Sequence, residues 1–271
     1  SDLRPYFSLT KPRVVVLLQI TALCSVLVHD QLGGGLDANT ARTVLVVFVG
    51  GYLSAGGANA INMWYDRDID PLMTRTKNRP VPAGEVSANA ALGFGITLSL
   101  LGVAWFEILA NSVAAFWSAF SVLFYVFIYS IWLKRTTPQN IVIGGIAGST
   151  PPVIGWAAAE GELTVATDSA RVVLESLLDL GSLMPWFMFL LIFLWTPPHF
   201  WALALYRSEE YGNVGIPMMP NVKGAERTIS EMKAYAVLLV ILSAAAPMSY
   251  GGINESDTIY QVLGLTTIGL S

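Results

Sequence analysis

The chain has 271 residues, of which 54% are hydrophobic and 13% charged, and its formal net charge is −4 at pH 7. That balance lies outside the range of soluble globular domains and gives no basic surface for nucleic acid. A single cysteine, Cys24, and two histidines exclude an internal disulfide framework and a Cys/His zinc site.

Apolar stretches of about 20 residues can cross a bilayer as helices. The sequence offers eight, at 12–29, 41–60, 87–107, 112–133, 140–159, 184–205, 230–249 and 257–271. The expected fold is therefore all-α, a polytopic transmembrane helical bundle forming a single domain over 1–271. The last stretch is short and runs to the end of the chain, which reads as a C-terminal truncation. No signal core or transit peptide precedes Arg4, so the first span is expected to act as its own insertion signal. A bacterial or archaeal cell membrane fits this better than the mitochondrial inner membrane.

Thirteen of the 15 Lys and Arg residues fall in the N-terminal segment and the second, fourth and sixth connections. Short loops rich in these residues stay in the cytoplasm, so the N-terminus and these loops are expected there. Most acids fall at the opposite end. His29 lies there too, at the outer end of the first span, where a structural or peripheral role is expected. The acids that need another explanation are those set among the cytoplasmic cations.

The first such group continues the second span. Asn62, Asp66 and Asp70 recur every four residues, about 6 Å apart on one stripe of a helix that persists, whereas Asp68 faces away. Oxygen ligands so spaced suit Mg²⁺, which accepts a few carboxylates together with substrate phosphate. Arg75, Lys77 and Arg79 follow, then Pro80 and Pro82. A diphosphate would join the two sets, bridged to the acids by the metal and hydrogen-bonded by the Arg forks. The plainer alternative is that the cations only enforce topology while the acids form surface ion pairs.

This run resembles the first signature of the UbiA family of intramembrane prenyltransferases. The resemblance implies nine transmembrane helices around a central cavity open to the cytoplasmic loops. It also implies that Asn62, Asp66 and Asp70 hold Mg²⁺ and a prenyl diphosphate. A second group, Arg207-Ser208-Glu209-Glu210-Tyr211-Gly212-Asn213, precedes a Gly-Ile-Pro-Met run four spans later on the same side. The general family has paired acids here, but Asn213 and Val214 stand where the second acid would fall. The haem O synthase branch resembles this chain in having one acid before the Tyr. Glu210 is accordingly the expected further metal ligand, ahead of Glu209.

The sixth span contains Trp195-Thr196-Pro197-Pro198-His199-Phe200-Trp201. Two adjacent prolines delete two backbone donors, so a kink or break lining a cavity is expected. A lone histidine there is either a hydrogen-bonded structural residue or, as a neutral imidazole, a haem-iron ligand. The Thr-Pro-Pro-His-Phe-Trp run and the segment from Leu133 to Trp156 resemble the haem O synthase branch.

That resemblance implies transfer of a farnesyl group from farnesyl diphosphate to a vinyl group of protohaem (haem B) with addition of water, giving haem O. Arg75, Arg79, Lys134, Lys223 and Arg227 would stabilise the leaving diphosphate, with Lys77 nearby. Trp64, Tyr65, Tyr125 and Tyr129 are near the membrane depth at which they would shelter the allylic cation, the alternative being packing or interface anchoring. The implied partners are farnesyl diphosphate, haem B, the lipid bilayer and a downstream haem A synthase. Two other readings remain open at this point: an aromatic acceptor such as 4-hydroxybenzoate on the same scaffold, and an ion-coupled secondary transporter.

Overall fold

The structure, a computed structural model, describes residues 3–246, and every regular element among them is helical. A short α1 (Arg4–Leu9) leads to Lys11, whose φ of 51° turns the chain before α2 (Pro12–Gly33). Pro12 at the first helical turn gives up no hydrogen bond and presets the helical φ. Next, α3 (Ala38–Tyr65) starts from a reciprocal cap. Asp37 Oδ1 accepts from the Thr40 N–H at 3.0 Å, and Thr40 Oγ1 accepts from the Asp37 N–H at 3.1 Å. Ser87 and Asn111 cap α4 (Ala88–Leu109) and α5 (Ser112–Leu123) in the same way with a single side-chain acceptor.

The remaining elements are α6 (Asn140–Ser149), α7 (Pro151–Ala159), α8 (Ala170–Leu178), α9 (Met184–Tyr206), α10 (Ser208–Asn213) and α11 (Met219–Ala244). Among the described residues six segments are long and apolar enough to cross a membrane: Pro12–Gly33, Ala38–Asp68, Ala88–Leu109, Ser112–Arg135, Asn140–Ala159 and Met184–Tyr206. They answer the first six expected spans. The seventh expected span, 230–249, overlaps α11 over its described part, and α11 starts earlier, at Met219. It carries Lys223, Glu226, Arg227, Glu231 and Lys233, so over the described residues it does not qualify. The eighth, 257–271, lies outside the described residues.

Helices α3 and α4 cross closely because their contact is made of small residues. A Cβ on Gly57 would lie 2.6 Å from the Gly95 carbonyl, and one on Gly102 would lie 2.7 Å from the Ser54 nitrogen. Without a hydrophobic driving force between helices in lipid, such close backbone approach is what holds the pair. In succession α2, α3, α4, α5, α6 with α7, α9 and α11 pack side by side around a central space, and α2 returns against α7. At the acidic end Ala22, Val47, Phe106, Val113, Val153 and Trp156 form the main apolar core.

The expected break at Pro197-Pro198 does not occur, since α9 remains helical through both prolines. Thr196 Oγ1 donates to the Ile192 carbonyl at 2.7 Å, adding a side-chain bond where the ladder is thinned. Helical bonding lapses instead at Thr150, ahead of Pro151-Pro152. Pro151 cannot donate to Ala147. That carbonyl accepts from Thr150 Oγ1 at 2.8 Å and Ser121 Oγ at 3.1 Å.

Candidate active site

The site grows from the end of α3. The α-helix stops at Tyr65 and tightens into two 3₁₀ turns, Asp66–Asp68 and Asp70–Leu72, so the expected i, i+4 stripe holds from Asn62 to Asp66 and is wound tighter beyond it. Asn62, Asp66 and Asp70 are all buried. Asp68 points away, as the spacing predicts, and takes both Arg135 Nη atoms at 2.6 and 2.7 Å, while that guanidinium lies 4.6 Å from the Tyr65 ring centre.

Helix α5 runs on as a π-helix, Phe124–Trp132, and ends in a 3₁₀ turn, Leu133–Arg135. The wider turn places Tyr125, Tyr129 or Ser130, and Lys134 along one face, four to five residues apart. Tyr125 and Tyr129 stack with ring centres 5.4 Å apart. Ser130 Oγ donates to the Tyr125 carbonyl at 2.9 Å and accepts from Asn62 Nδ2 at 3.1 Å, tying the π-helix to the acid stripe.

Cations meet these acids. Lys134 Nζ pairs with Asp66 Oδ2, which also accepts from Asn62 Nδ2 at 3.0 Å. Arg79 Nη1 reaches both oxygens of Asp70 at 2.8 Å. Lys11 Nζ donates to Asn62 Oδ1 at 2.7 Å. Desolvation, followed by the charges of Arg79 and Lys134, holds the Lys11 ammonium well below the ordinary lysine pKa. Three cations thus converge on two carboxylates and an amide, an excess of positive charge suited to a polyanion.

These groups form the polar end of a cavity of about 420 Å³ that also reaches far down α2 and α3 between apolar walls. Asn62, Asp70, Arg75, Arg79, Lys134, Tyr125, Tyr129 and His199 line it, and Asp66 lies directly behind the wall. Both expected loops meet there, because Asp70 to Arg79 and Tyr211 to Met218 each contribute to the lining. His199 stacks on Trp195 with ring centres 4.3 Å apart and an interplanar angle of 18°. Leu17, Trp195, His199 and Phe200 are exposed and line the cavity, marking a sideways opening between α2 and α9.

Four expected residues stand elsewhere. Lys77 is exposed on its loop, and Glu210 is drawn to Arg207 at 3.5 Å within the short α10. Lys223 and Arg227 are exposed on α11, where Arg227 pairs with Glu231 at 2.6 Å; Gly224, at a φ of 79°, kinks the helix between them. None of the four lines the cavity. Among the described residues no three His, Cys, Asp or Glu side chains come together as a metal-binding group. Lys11 belongs to the basic N-terminal segment, and its one sequence signal for a place in the site is its position just before Pro12 at the mouth of the first span.

The residues that remain still fit Mg²⁺. Asp66 Oδ1 is buried and makes no hydrogen bond, with Arg135 Nη2 at 3.6 Å its nearest ionic partner. An orphaned buried carboxylate oxygen, with the Asn62 amide and the Asp70 carboxylate lining the adjoining cavity, is a hard-donor set of the kind Mg²⁺ takes together with water and phosphate.

The sequence matches the model of the UbiA prenyltransferase family over residues 19–270. The chain belongs to that family. It is 49% identical over 245 residues to the protoheme IX farnesyltransferase of Beijerinckia indica subsp. indica, covering 89% of this chain and 67% of the relative. To the enzyme of the same name from Bartonella henselae it is 46% identical over 246 residues, covering 91% and 71%. To that of Rhodopseudomonas palustris it is 44% identical over 265 residues, covering 97% and 75%.

Among solved structures, a UbiA homologue from Archaeoglobus fulgidus bound to DMAPP and Mg²⁺ superimposes with a TM-score of 0.68 at 17% identity, covering 98% of this chain and 85% of the other. A digeranylgeranylglyceryl phosphate synthase gives 0.69 at 19% identity, with the same coverage. These two share the fold. As a UbiA-family protein, the chain is a multi-pass membrane prenyltransferase.

Proposed function

We propose that this chain transfers the farnesyl group of farnesyl diphosphate to a vinyl group of haem B, with water captured at the adjoining carbon, to give haem O and diphosphate. The observation that carries the reading is the cavity itself. One end is a cationic and carboxylate rim of Lys11, Arg79, Lys134 and Asp70, backed by Asp66, and from it runs an apolar channel with a sideways opening beside His199. The relatives named protoheme IX farnesyltransferase support the acceptor.

Asn62, Asp66 and Asp70 would hold Mg²⁺, which when bound supplies Lewis-acid neutralisation of the diphosphate. Glu210, next in sequence to the cavity-lining Tyr211, is the acid on the second loop that would join them. Lys11, Arg75, Arg79 and Lys134 bind the diphosphate and stabilise the charge that develops on it as the allylic C–O bond ionises. Lys77, Lys223 and Arg227 would act at longer range, drawing the anionic donor to the rim. The stacked rings of Tyr125 and Tyr129 shelter the allylic cation. The vinyl group attacks it, water adds to the resulting cation beside the pyrrole, and the surplus proton leaves to diphosphate. His199, exposed at the lateral opening, would receive the haem.

We further propose one transmembrane domain in a bacterial inner membrane, with the basic end of the bundle in the cytoplasm, in line with the distribution of Lys and Arg. The product would pass to a haem A synthase.

The test is to incubate purified protein in detergent with Mg²⁺, farnesyl diphosphate and haem B, and to analyse extracted porphyrins by mass spectrometry. A gain of farnesyl plus water, abolished by EDTA, is the expected result. Prenylation of 4-hydroxybenzoate in a parallel reaction, with haem untouched, would overturn the acceptor.

A further inference from the structure

The cavity has a floor, and its composition bears on which donor fits. From the cation rim it follows α2 past Val14 and Leu18 to Gln19 and Ala22, and follows α3 past Ala58, Ala55 and Ser54 to Gly51 and Val47. Gln19 is eight residues beyond Lys11, about 12 Å down the helix, and Ala22 is about 16 Å down. The main chain of a farnesyl group has twelve carbons. At roughly 1.3 Å of advance per carbon–carbon bond it covers about 14–15 Å, close to that depth.

Two side chains line the channel at this level. Gln19 is only 5% exposed and reaches across from α2 to α3, where Nε2 donates to the Phe48 carbonyl at 2.6 Å. Gly51 lies flat beneath its amide, since a Cβ there would be 3.1 Å from both Nε2 and Oε1. The Gln19 amide is therefore pinned through Nε2, with Oε1 buried and unpartnered, and is backed by the bare main chain of Gly51. Below it the ring of Phe106 closes the space between α3 and α4. That ring is fully buried and rests on Gly50, where a Cβ would meet Phe106 Cε2 at 2.8 Å. Neither glycine tolerates a side chain without moving the obstruction beside it.

We propose that Gln19, strapped from α2 to the Phe48 carbonyl, and the Phe106 ring beneath it form the floor of the prenyl channel and set three isoprene units as the longest chain it accepts. This rests on the prenyl-transfer reading above. A fourth unit would have to displace the Gln19 amide from its bond, leaving Nε2 as well as Oε1 unpaired in an apolar channel, or push Phe106 out of close packing. A shorter chain stops above Gln19 and forfeits apolar contact.

The experiment measures binding of the thiolodiphosphate analogues of geranyl, farnesyl and geranylgeranyl chains to the full protein in detergent with Mg²⁺. In the wild type the farnesyl analogue should bind at least tenfold more tightly than the geranylgeranyl one. Gln19→Ala and Phe106→Ala should each lower that preference tenfold or more. Because Phe106→Ala removes a buried ring, Gln19→Ala provides the independent variant. Equal wild-type binding of the two longer chains would mean that the tail leaves sideways past Leu17, and would overturn the proposal. So would an unchanged preference in folded Gln19→Ala protein. No binding of any analogue by the wild type would remove the prenyl-transfer reading and the floor with it. Length-selective binding without turnover of haem would leave the floor standing and remove only the acceptor.

Discussion

The ammonium of Lys11 donates to the amide oxygen of Asn62 at 2.7 Å, across 51 positions of sequence. That oxygen is also the atom Asn62 would turn toward a metal, so the lysine holds the place of positive charge until donor and metal arrive. Once they do, Lys11 is at the mouth of the cavity with nothing better to bind than diphosphate. Lys11→Met is expected to lower kcat/KM for farnesyl diphosphate by about 10²-fold, the usual loss for one charge-stabilising donor. The thermal midpoint should hold or rise, because a desolvated cation has been removed. A variant with full activity would return Lys11 to a topological role.

Asp66 and Lys134 make a second paired arrangement, in which the carboxylate is fully buried and the lysine side chain is partly buried at the cavity wall. Removing one partner strands the other, at a cost of about 3–5 kcal/mol, whereas removing both does not. Asp66→Asn should therefore lower the melting temperature and abolish turnover. Asp66→Asn with Lys134→Met should recover most of the stability and none of the activity. A double-mutant cycle read by thermal unfolding and by product formation separates the two roles. Recovery of activity in the double variant would show that neither group takes part in the chemistry.

Much of this site was legible because hydrophobic runs and i, i+4 spacing are local signals. The first six spans, the Asn62-Asp66 half of the stripe and the outward turn of Asp68 follow from helix geometry, whereas the 3₁₀ winding that carries Asp70 does not. Three features were hidden for physical reasons. The run Phe124–Trp132 is apolar apart from Tyr and Ser, so no polar face distinguishes a π-helix from an α-helix. The two Pro-Pro pairs look alike in sequence, yet only the pair at Pro151 interrupts helical bonding, where Ser121 and Thr150 are placed to satisfy the freed carbonyl. The glutamate at 210 is one residue from a cavity-lining tyrosine, and its i, i+3 partner Arg207 turns it aside.

Asp37 carries a prediction that involves no substrate. Hydrogen bonds from the Thr40 backbone hold its carboxyl below the ordinary carboxylate pKa. A depressed folded pKa means that the contribution is present above the unfolded carboxylate value and is lost as pH falls through the folded one. Asp37→Ala should lower the melting temperature at neutral pH, and the difference from wild type should shrink once the pH drops below the carboxylate range. A difference independent of pH would remove the capping box as its cause.

Gly144 lies under the ring of Tyr129 so closely that a Cβ would come within 3.0 Å of two further ring carbons beyond the one it meets first. The ring is stacked on Tyr125 and cannot retreat without breaking that pair. Gly144→Ala should therefore displace Tyr129 into the cavity and lower kcat/KM on the order of 10–100-fold, since small misplacements next to reacting atoms are costly. Packing damage unrelated to the tyrosine would give the same loss, so the deciding measurement is made on a Tyr129→Leu background. If Gly144 serves only to seat the ring, adding Gly144→Ala there costs little more, because the ring it displaces is already gone. Fully multiplicative losses would mean that Gly144 acts elsewhere, and the stacked tyrosines would lose their claim to a role beside the allylic cation.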